Sequence, residues 1–222
     1  MREQVFRDRS DAGRALVPLL RDYAGRDDAV VIGLPRGGVP VADVVAAALR
    51  LPLDVVIVRK LGAPGEPEFA IGAIAAGVVV ENPEYASFFA ADPAGVEATI
   101  ARERRELERR ELAYRGAEPA LAIAGRTVIL VDDGAATGAS MRAAVQAMRQ
   151  MQAREIVVAL PTASAEACAD LRREADRVLC VETPRMFRAV GEWYESFEQI
   201  TDREVVDMLA KARARTKGGS LT

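Results

Sequence analysis

The stretch Thr127 to Met141, TVILVDDGAATGASM, limits the folds open to this chain more than any other. Val128 to Val131 is an unbroken apolar run of the kind that fills a strand buried on both faces, as in a parallel sheet. Asp132 and Asp133 then fall at its C-terminal edge, where open α/β sheets bind their ligands. Gly134 to Ser140 lack bulk, so backbone N–H groups can close on an anion while Thr137 and Ser140 offer hydroxyls. From Met141 the pattern is helical, and the partial positive charge of a helix N-terminus adds to an anion site. The unit reads as a holder for a sugar phosphate, with carboxylates for ribose hydroxyls and a loop for the phosphate.

Small-residue turns between strand and helix are common in α/β proteins, and such a loop alone proves little. The acid pair changes the reading. Two adjacent carboxylates would repel a phosphate unless they were meant to meet something else, and vicinal hydroxyls with a metal nearby suit them. The order of apolar run, Asp-Asp, small loop and Thr-Gly-x-Ser resembles the phosphoribosyl-diphosphate (PRPP) signature of the type I phosphoribosyltransferases. The resemblance covers Ala29 to about Val181, with Leu61 to Gly125 matched only loosely.

Composition narrows the chemistry further. The 222 residues are 50% apolar and 28% charged with a formal charge of −3, which suits a globular domain and argues against a general binder of nucleic acid or membrane surface. The chain has no histidine, so Ser-His-Asp and Cys-His catalysis and His-based zinc sites are excluded. The N-terminus is charged from its second residue and does not read as a signal peptide. Val39 to Leu49 and Phe69 to Val80, the most apolar windows, fall short of the ~20 residues of a membrane helix, and a cytoplasmic protein is expected. Cys168 and Cys180 stand apart from each other and from any CxxC pattern, and read as buried small hydrophobes.

Taken in order, Ser10 precedes an amphipathic segment that reads as an N-capped helix, with Pro18 its awkward residue. Ala29 to Leu34 is a buried strand that runs through PRGGVPVA into a helix ending near Leu49. Gly37 and Gly38 serve a tight turn equally well as an anion loop. Leu53 to Val58 reads as a second strand closed by Arg59 and Lys60, and Leu61 to Pro83 as a flexible loop followed by a hairpin around Gly77. From Asp92 or Pro93 a long helix carries Val96, Ile100, Leu107 and Tyr114 on one stripe between blocks of Arg and Glu, whose charges nearly cancel. Glu155 to Leu160 and Val178 to Val181 are the remaining strands, separated by a helix over Ser164 to Glu174. Phe187, Trp193, Tyr194 and Phe197 gather in a late aromatic segment. Thr201-Asp202 begins a helix through Ala212, followed by a frayed tail.

The resemblance implies one domain over 1–222, with a lid and insertion at 61–125 and a C-terminal hood and tail at 183–222. Its sheet would have about five parallel strands with helices on both faces. It implies transfer of the 5-phosphoribosyl group from PRPP to a nitrogenous base, with Mg²⁺ and release of diphosphate, as in nucleotide salvage. In that scheme Asp132 and Asp133 orient the ribose hydroxyls directly or through metal-bound water, and Ala135, Ala136, Thr137, Gly138, Ala139 and Ser140 hold the 5′-phosphate. Arg36, Gly37, Gly38 and Lys60 would meet the diphosphate, and an unusual backbone geometry is expected in Pro35 to Gly38. Glu66 and Glu68 are lid candidates, although solvated loop acids are the plainer reading. Trp193 is a candidate for the base-binding hood, while tail aromatics serve a satellite core or subunit interface as readily. A homodimer is expected. Ala136 stands where the 6-oxopurine enzymes carry an aspartate, which speaks against a hypoxanthine or guanine enzyme and is similar to the adenine and orotate types, but their base-binding segments are not otherwise visible and the base stays unassigned. The alternative is a PRPP-sensing regulator with little or no catalysis.

Overall fold

The computed structural model describes residues 6–82 and 85–218. Five parallel strands form the main sheet: β1 (Ala29–Gly33), β2 (Leu53–Val55), β6 (Thr127–Val131), β7 (Glu155–Thr162) and β8 (Arg177–Glu182), in the order β2-β1-β6-β7-β8. Neighbours pair in register, as Val31 with Ile129 and Ile129 with Val157. The interior strands are apolar at successive positions because both faces are covered. Val31, Ile129 and Val157 face one core with α2 (Gly38–Leu49) and α7 (Asp202–Gly218). Val30, Val128 and Ile156 face the other, with α5 (Ala139–Gln150) and α6 (Ala165–Glu174). The expected five-stranded sheet with helices on both faces is therefore present.

The strand order decides where a ligand can sit. From β1 the chain steps outward to β2, then returns to the opposite side of β1 as β6 and continues outward through β7 and β8. The direction reverses between β1 and β6, and open α/β sheets bind ligands in the crevice at such a switch point. The loops after β1 and β6 border it, and the Leu34 N–H donates to the Val131 carbonyl at 2.9 Å across it.

A second sheet corrects the reading of residues 53–65. The segment Leu53 to Val58 belongs to two strands in different sheets: β2 stops at Val55, and β3 (Val58–Ala63) pairs antiparallel with β4 (Glu66–Ala75), which pairs with β5 (Val78–Glu81). Pro64-Gly65, with Gly65 at φ 82°, turns β3 into β4 where a flexible loop was expected. Ala76 and Gly77, both at positive φ, form the expected two-residue hairpin. Arg59 and Lys60 lie within β3, and as successive strand residues they face opposite sides. Arg59 pairs with Glu103 at 2.5 Å on α4 (Pro93–Arg115). That helix is capped by Asp92 and places Val96, Ile100, Leu107 and Tyr114 in the core, as its stripe implied.

The first helix, α1 (Arg9–Leu16), is capped by Asp8, whose side chain accepts from the Asp11 N–H at 2.7 Å. Ser10 lies inside it. The single helix expected through Pro18 ends at Leu16 and gives way to a 3₁₀ segment, Val17–Tyr23, with the proline in its first turn, where a missing N–H costs nothing. A short helix, α3 (Ala86–Ala91), precedes α4. Thr201 and Glu204 form a reciprocal capping box before α7, which runs past Ala212 to Gly218. The cysteines are not apart: Cys168 on α6 and Cys180 on β8 bring their Sγ atoms to 2.9 Å. Among the described residues, no helix is long and apolar enough to cross a membrane.

Candidate functional site

Asp132 and Asp133 extend from β6 into the crevice because the strand ends at Val131. Their carboxylates are bound unequally. The Asp133 N–H donates to Asp132 Oδ1 at 2.8 Å, turning that carboxylate back along the loop. Arg9 Nε donates to Asp133 Oδ2 at 2.9 Å, with the two side chains only 10% and 13% exposed. The guanidinium also donates to the Glu198 carbonyl at 2.8 Å and lies 3.9 Å over the Phe197 ring. Tyr194 donates its hydroxyl to the Asp133 carbonyl at 2.6 Å. The acid pair is thus held by residues from both ends of the chain. Burial, and then the Asp133 charge, push Asp132 well above the ordinary carboxyl range. Asp133 is raised by burial too, against the downward pull of Arg9.

Beyond the acids, the loop alternates between anchored and open residues. Ala135 is buried, its N–H donating to the Thr162 carbonyl at 3.1 Å and its carbonyl accepting from Ser164 N–H at 3.0 Å. Ser164 Oγ donates to the Ala136 carbonyl at 2.7 Å. Gly138 takes φ 71° at the N-cap of α5, a conformation that a side chain disfavours. Ala136, Thr137, Ala139 and Ser140 are exposed around it, with Thr137 Oγ1 accepting from the Ala139 N–H at 3.4 Å. Two exposed hydroxyls therefore stand at one helix N-terminus.

The loop after β1 is packed instead. The Pro35–Arg36 peptide is cis, the unusual geometry expected in this segment. A Cβ on Gly37 would enter the Asp133 carboxylate, and one on Gly38 would stand 2.7 Å from the Val131 carbonyl and 2.8 Å from Asp132 Cα. This pair of glycines lets the loop lie against the acids. Arg36 extends elsewhere, 4.0 Å from Asp202, whose carboxylate also accepts from the Tyr114 hydroxyl at 2.7 Å.

Lys60 is exposed and lines a cleft between the three-stranded sheet and the start of α5, shared with Ala139, Ser140 and Arg142. The structure thus brings Asp132 and Asp133 together with Gly37 and Gly38, and Lys60 together with the loop after β6; Arg36 and Lys60 point to different neighbours. Glu66 begins β4, and the Glu68 side chain lies outside the described residues. Trp193 is 6% exposed in a satellite core with Phe6, Ala12 and Tyr194, stacked near Phe187 at 6.3 Å between ring centroids. Its rings are engaged by protein, so the hood reading yields to the satellite-core reading. Among the described residues, no three or more Asp, Glu, His or Cys side chains gather as a metal-ligand set. Sequence reading missed Arg9, whose contact spans 124 residues and leaves no local signal.

The phosphoribosyl transferase domain profile matches residues 8–195. A Mycobacterium tuberculosis (strain ATCC 25618 / H37Rv) relative, named for phosphoribosyl transfer, is 43% identical over 210 residues, which are 94% of this chain and 47% of that protein. The chain spans about half the length of the curated relatives it matches. A crystal structure of the Thermus thermophilus protein TT1426 is 46% identical with a TM-score of 0.80, covering 94% of this chain and 99% of that one. A Neisseria gonorrhoeae protein crystallised with ppGpp shares the fold at 14% identity and a TM-score of 0.50, covering 99% of this chain and 98% of that one. With its acid pair at the sheet's switch point and its small loop at a helix start, this chain belongs to the phosphoribosyl transferase domain family.

Proposed function

We propose that the chain transfers the 5-phosphoribosyl group of PRPP to a nitrogenous base and releases diphosphate, the base remaining unassigned. The observation that carries this reading is the juxtaposition of Asp132 and Asp133 with the open, hydroxyl-bearing loop that starts α5. A ribose ring has vicinal hydroxyls on one side and its 5′-phosphate a short span away, and the two halves of the site match those two ends. In the reaction a base nitrogen forms a bond to C1 as the C1–diphosphate bond breaks. Positioning and charge stabilisation at the leaving group supply the rate.

Asp132 and Asp133 would orient the ribose hydroxyls. Thr137 and Ser140, with the backbone of Ala136 to Ala139, would hold the 5′-phosphate; Ala135, expected to join them, is buried and spends its N–H on the Thr162 carbonyl. Two carboxylates suit a hard cation, so Asp132 and Asp133 would hold Mg²⁺ directly or through water, and the ion would supply charge neutralisation at the diphosphate. The small loop after β1 supports a close backbone approach to the diphosphate. Lys60, beside Ser140, adds a cation on the anion-facing side. The proposal keeps the lid role for 61–125, the homodimer and the cytoplasmic setting expected from the sequence.

The test is a screen of bases and amines with PRPP and Mg²⁺, reading diphosphate release. Release with one acceptor class supports the enzyme. PRPP binding without release for any acceptor would support a PRPP-sensing regulator instead.

A further inference from the structure

Cys168 and Cys180 take no part in the chemistry above, yet they form a specific contact. Cys168 is fully buried on α6, while Cys180 on β8 is partly exposed. Their sulfurs are 2.9 Å apart, and the Thr183 hydroxyl lies 3.9 Å from Cys168 Sγ. The hydrogen bond between the thiols, outweighing burial, draws Cys168 down to about 6, and the same contact pushes Cys180 well up. The pair therefore gives up its first proton readily and its second with difficulty. A thiolate shared between two sulfurs in contact is the reactive form for thiol–disulfide exchange.

We propose that Cys168 and Cys180 are a dithiol modification site for low-molecular-weight disulfides such as glutathione disulfide, which oxidise the pair to an intramolecular disulfide joining α6 to β8. Cys180, the reachable member, attacks one sulfur of the reagent as its proton passes to the Cys168 thiolate 2.9 Å away. The reagent S–S bond breaks, one reagent thiolate leaves, and a mixed disulfide stands on Cys180. Cys168 then attacks the Cys180 sulfur and expels the second reagent thiolate. The two protein thiols lose two electrons and two protons in all, and the reagent gains them as two thiols.

The crosslink would reach the ligand loop through α6. The Cys168 N–H donates to the Ser164 carbonyl at 3.0 Å, and Ser164 Oγ holds the Ala136 carbonyl. Fixing this turn on β8 steadies the loop, so the oxidised form should bind a phosphate more tightly because less ordering remains to be done. This second effect rests on the function proposed above, whereas the disulfide does not.

The folded protein is incubated with glutathione disulfide, then denatured, alkylated and weighed. The expected product has lost two hydrogens, takes up no alkylating agent, and regains both thiols with dithiothreitol. Cys168→Ser should stop at one lasting glutathione adduct on Cys180, and Cys180→Ser should react far more slowly because Cys168 is buried. A lasting mixed disulfide on the unmodified chain overturns the proposal, as do thiols that stay free in the folded protein but react when it is denatured. Inorganic phosphate and ribose 5-phosphate affinities of the two forms are compared separately. Equal affinities remove the link to the loop while the mass result stands by itself.

Discussion

The loops after β1 and β6 face each other across one crevice, yet they use glycine for opposite reasons. Gly37, at φ −63°, and Gly38 have helical geometry that any residue could adopt; what they lack is room for a Cβ against Asp132, Asp133 and Val131. Gly138 has less severe crowding, a Cβ there standing 3.3 Å from Ala167 Cβ, and instead supplies a positive φ at the start of α5. One loop is packed onto the acid pair. The other presents Thr137 and Ser140 to solvent. The difference teaches that a glycine-rich loop is not by itself an anion cradle, since the loop after β1 first needs its glycines to fit the protein's own carboxylates.

The comparison can be broken most decisively at the acids that join the two loops. Asp132→Asn or Asp133→Asn should lower turnover by about 10²–10³-fold with the fold retained, as for loss of a preorganised charge in an active site. Steady-state kinetics beside a melting curve checks this, and full activity in both folded variants would remove the ribose-clamp role.

Arg9→Ala tests what holds the acids from the far side. It leaves Asp133 without its ion-pair partner in a site where both side chains are nearly buried, and should cost about 3 kcal/mol in urea unfolding at neutral pH. The loss should shrink in acid, where Asp133 takes up a proton. An unchanged unfolding midpoint would show that the clamp is incidental.

The two kinds of glycine should then separate. Gly38→Ala drives a methyl group into backbone, which cannot yield as a side-chain end can, and should destabilise by about 2 kcal/mol through overpacking. Gly138→Ala should cost about 1 kcal/mol, from the left-handed backbone alone. Equal costs would erase the distinction.

A smaller effect concerns pH. Folding raises Asp132 through burial and the Asp133 charge, so the folded chain keeps a proton that the unfolded chain releases near the usual aspartate pKa of about 4. Stability contributed by this group is therefore full below that pH and falls as pH rises towards the folded value. Asp132→Asn should flatten that part of the curve and melt above the parent at neutral pH. A parallel curve for the variant would contradict the shift.

How much of this was legible in the sequence follows from distance along the chain. The β6 strand, acid pair, loop and α5 are contiguous, so the apolar run, the carboxylates and the small residues reported on one another. The β2–β3 break was hidden because Val55 to Val58 stays apolar through the change of sheet, and Arg59-Lys60 looked like a strand end when the two charges in fact take opposite faces of β3. Trp193 could not be placed, since an aromatic segment carries no sign of whether its rings meet protein or ligand. Arg9 and the cysteine pair were invisible for a related reason: their partners are set by which elements the sheet order makes neighbours.

The most direct test of the central claim is the melting temperature with Mg²⁺ and PRPP. A ligand that binds only the folded state stabilises it by about 2.7 kcal/mol at a hundredfold excess over Kd, so PRPP with Mg²⁺ should raise Tm clearly and ribose 5-phosphate less. Asp132→Asn should lose most of the PRPP response while keeping its own fold. No shift in the parent protein at millimolar PRPP with Mg²⁺ would contradict the account.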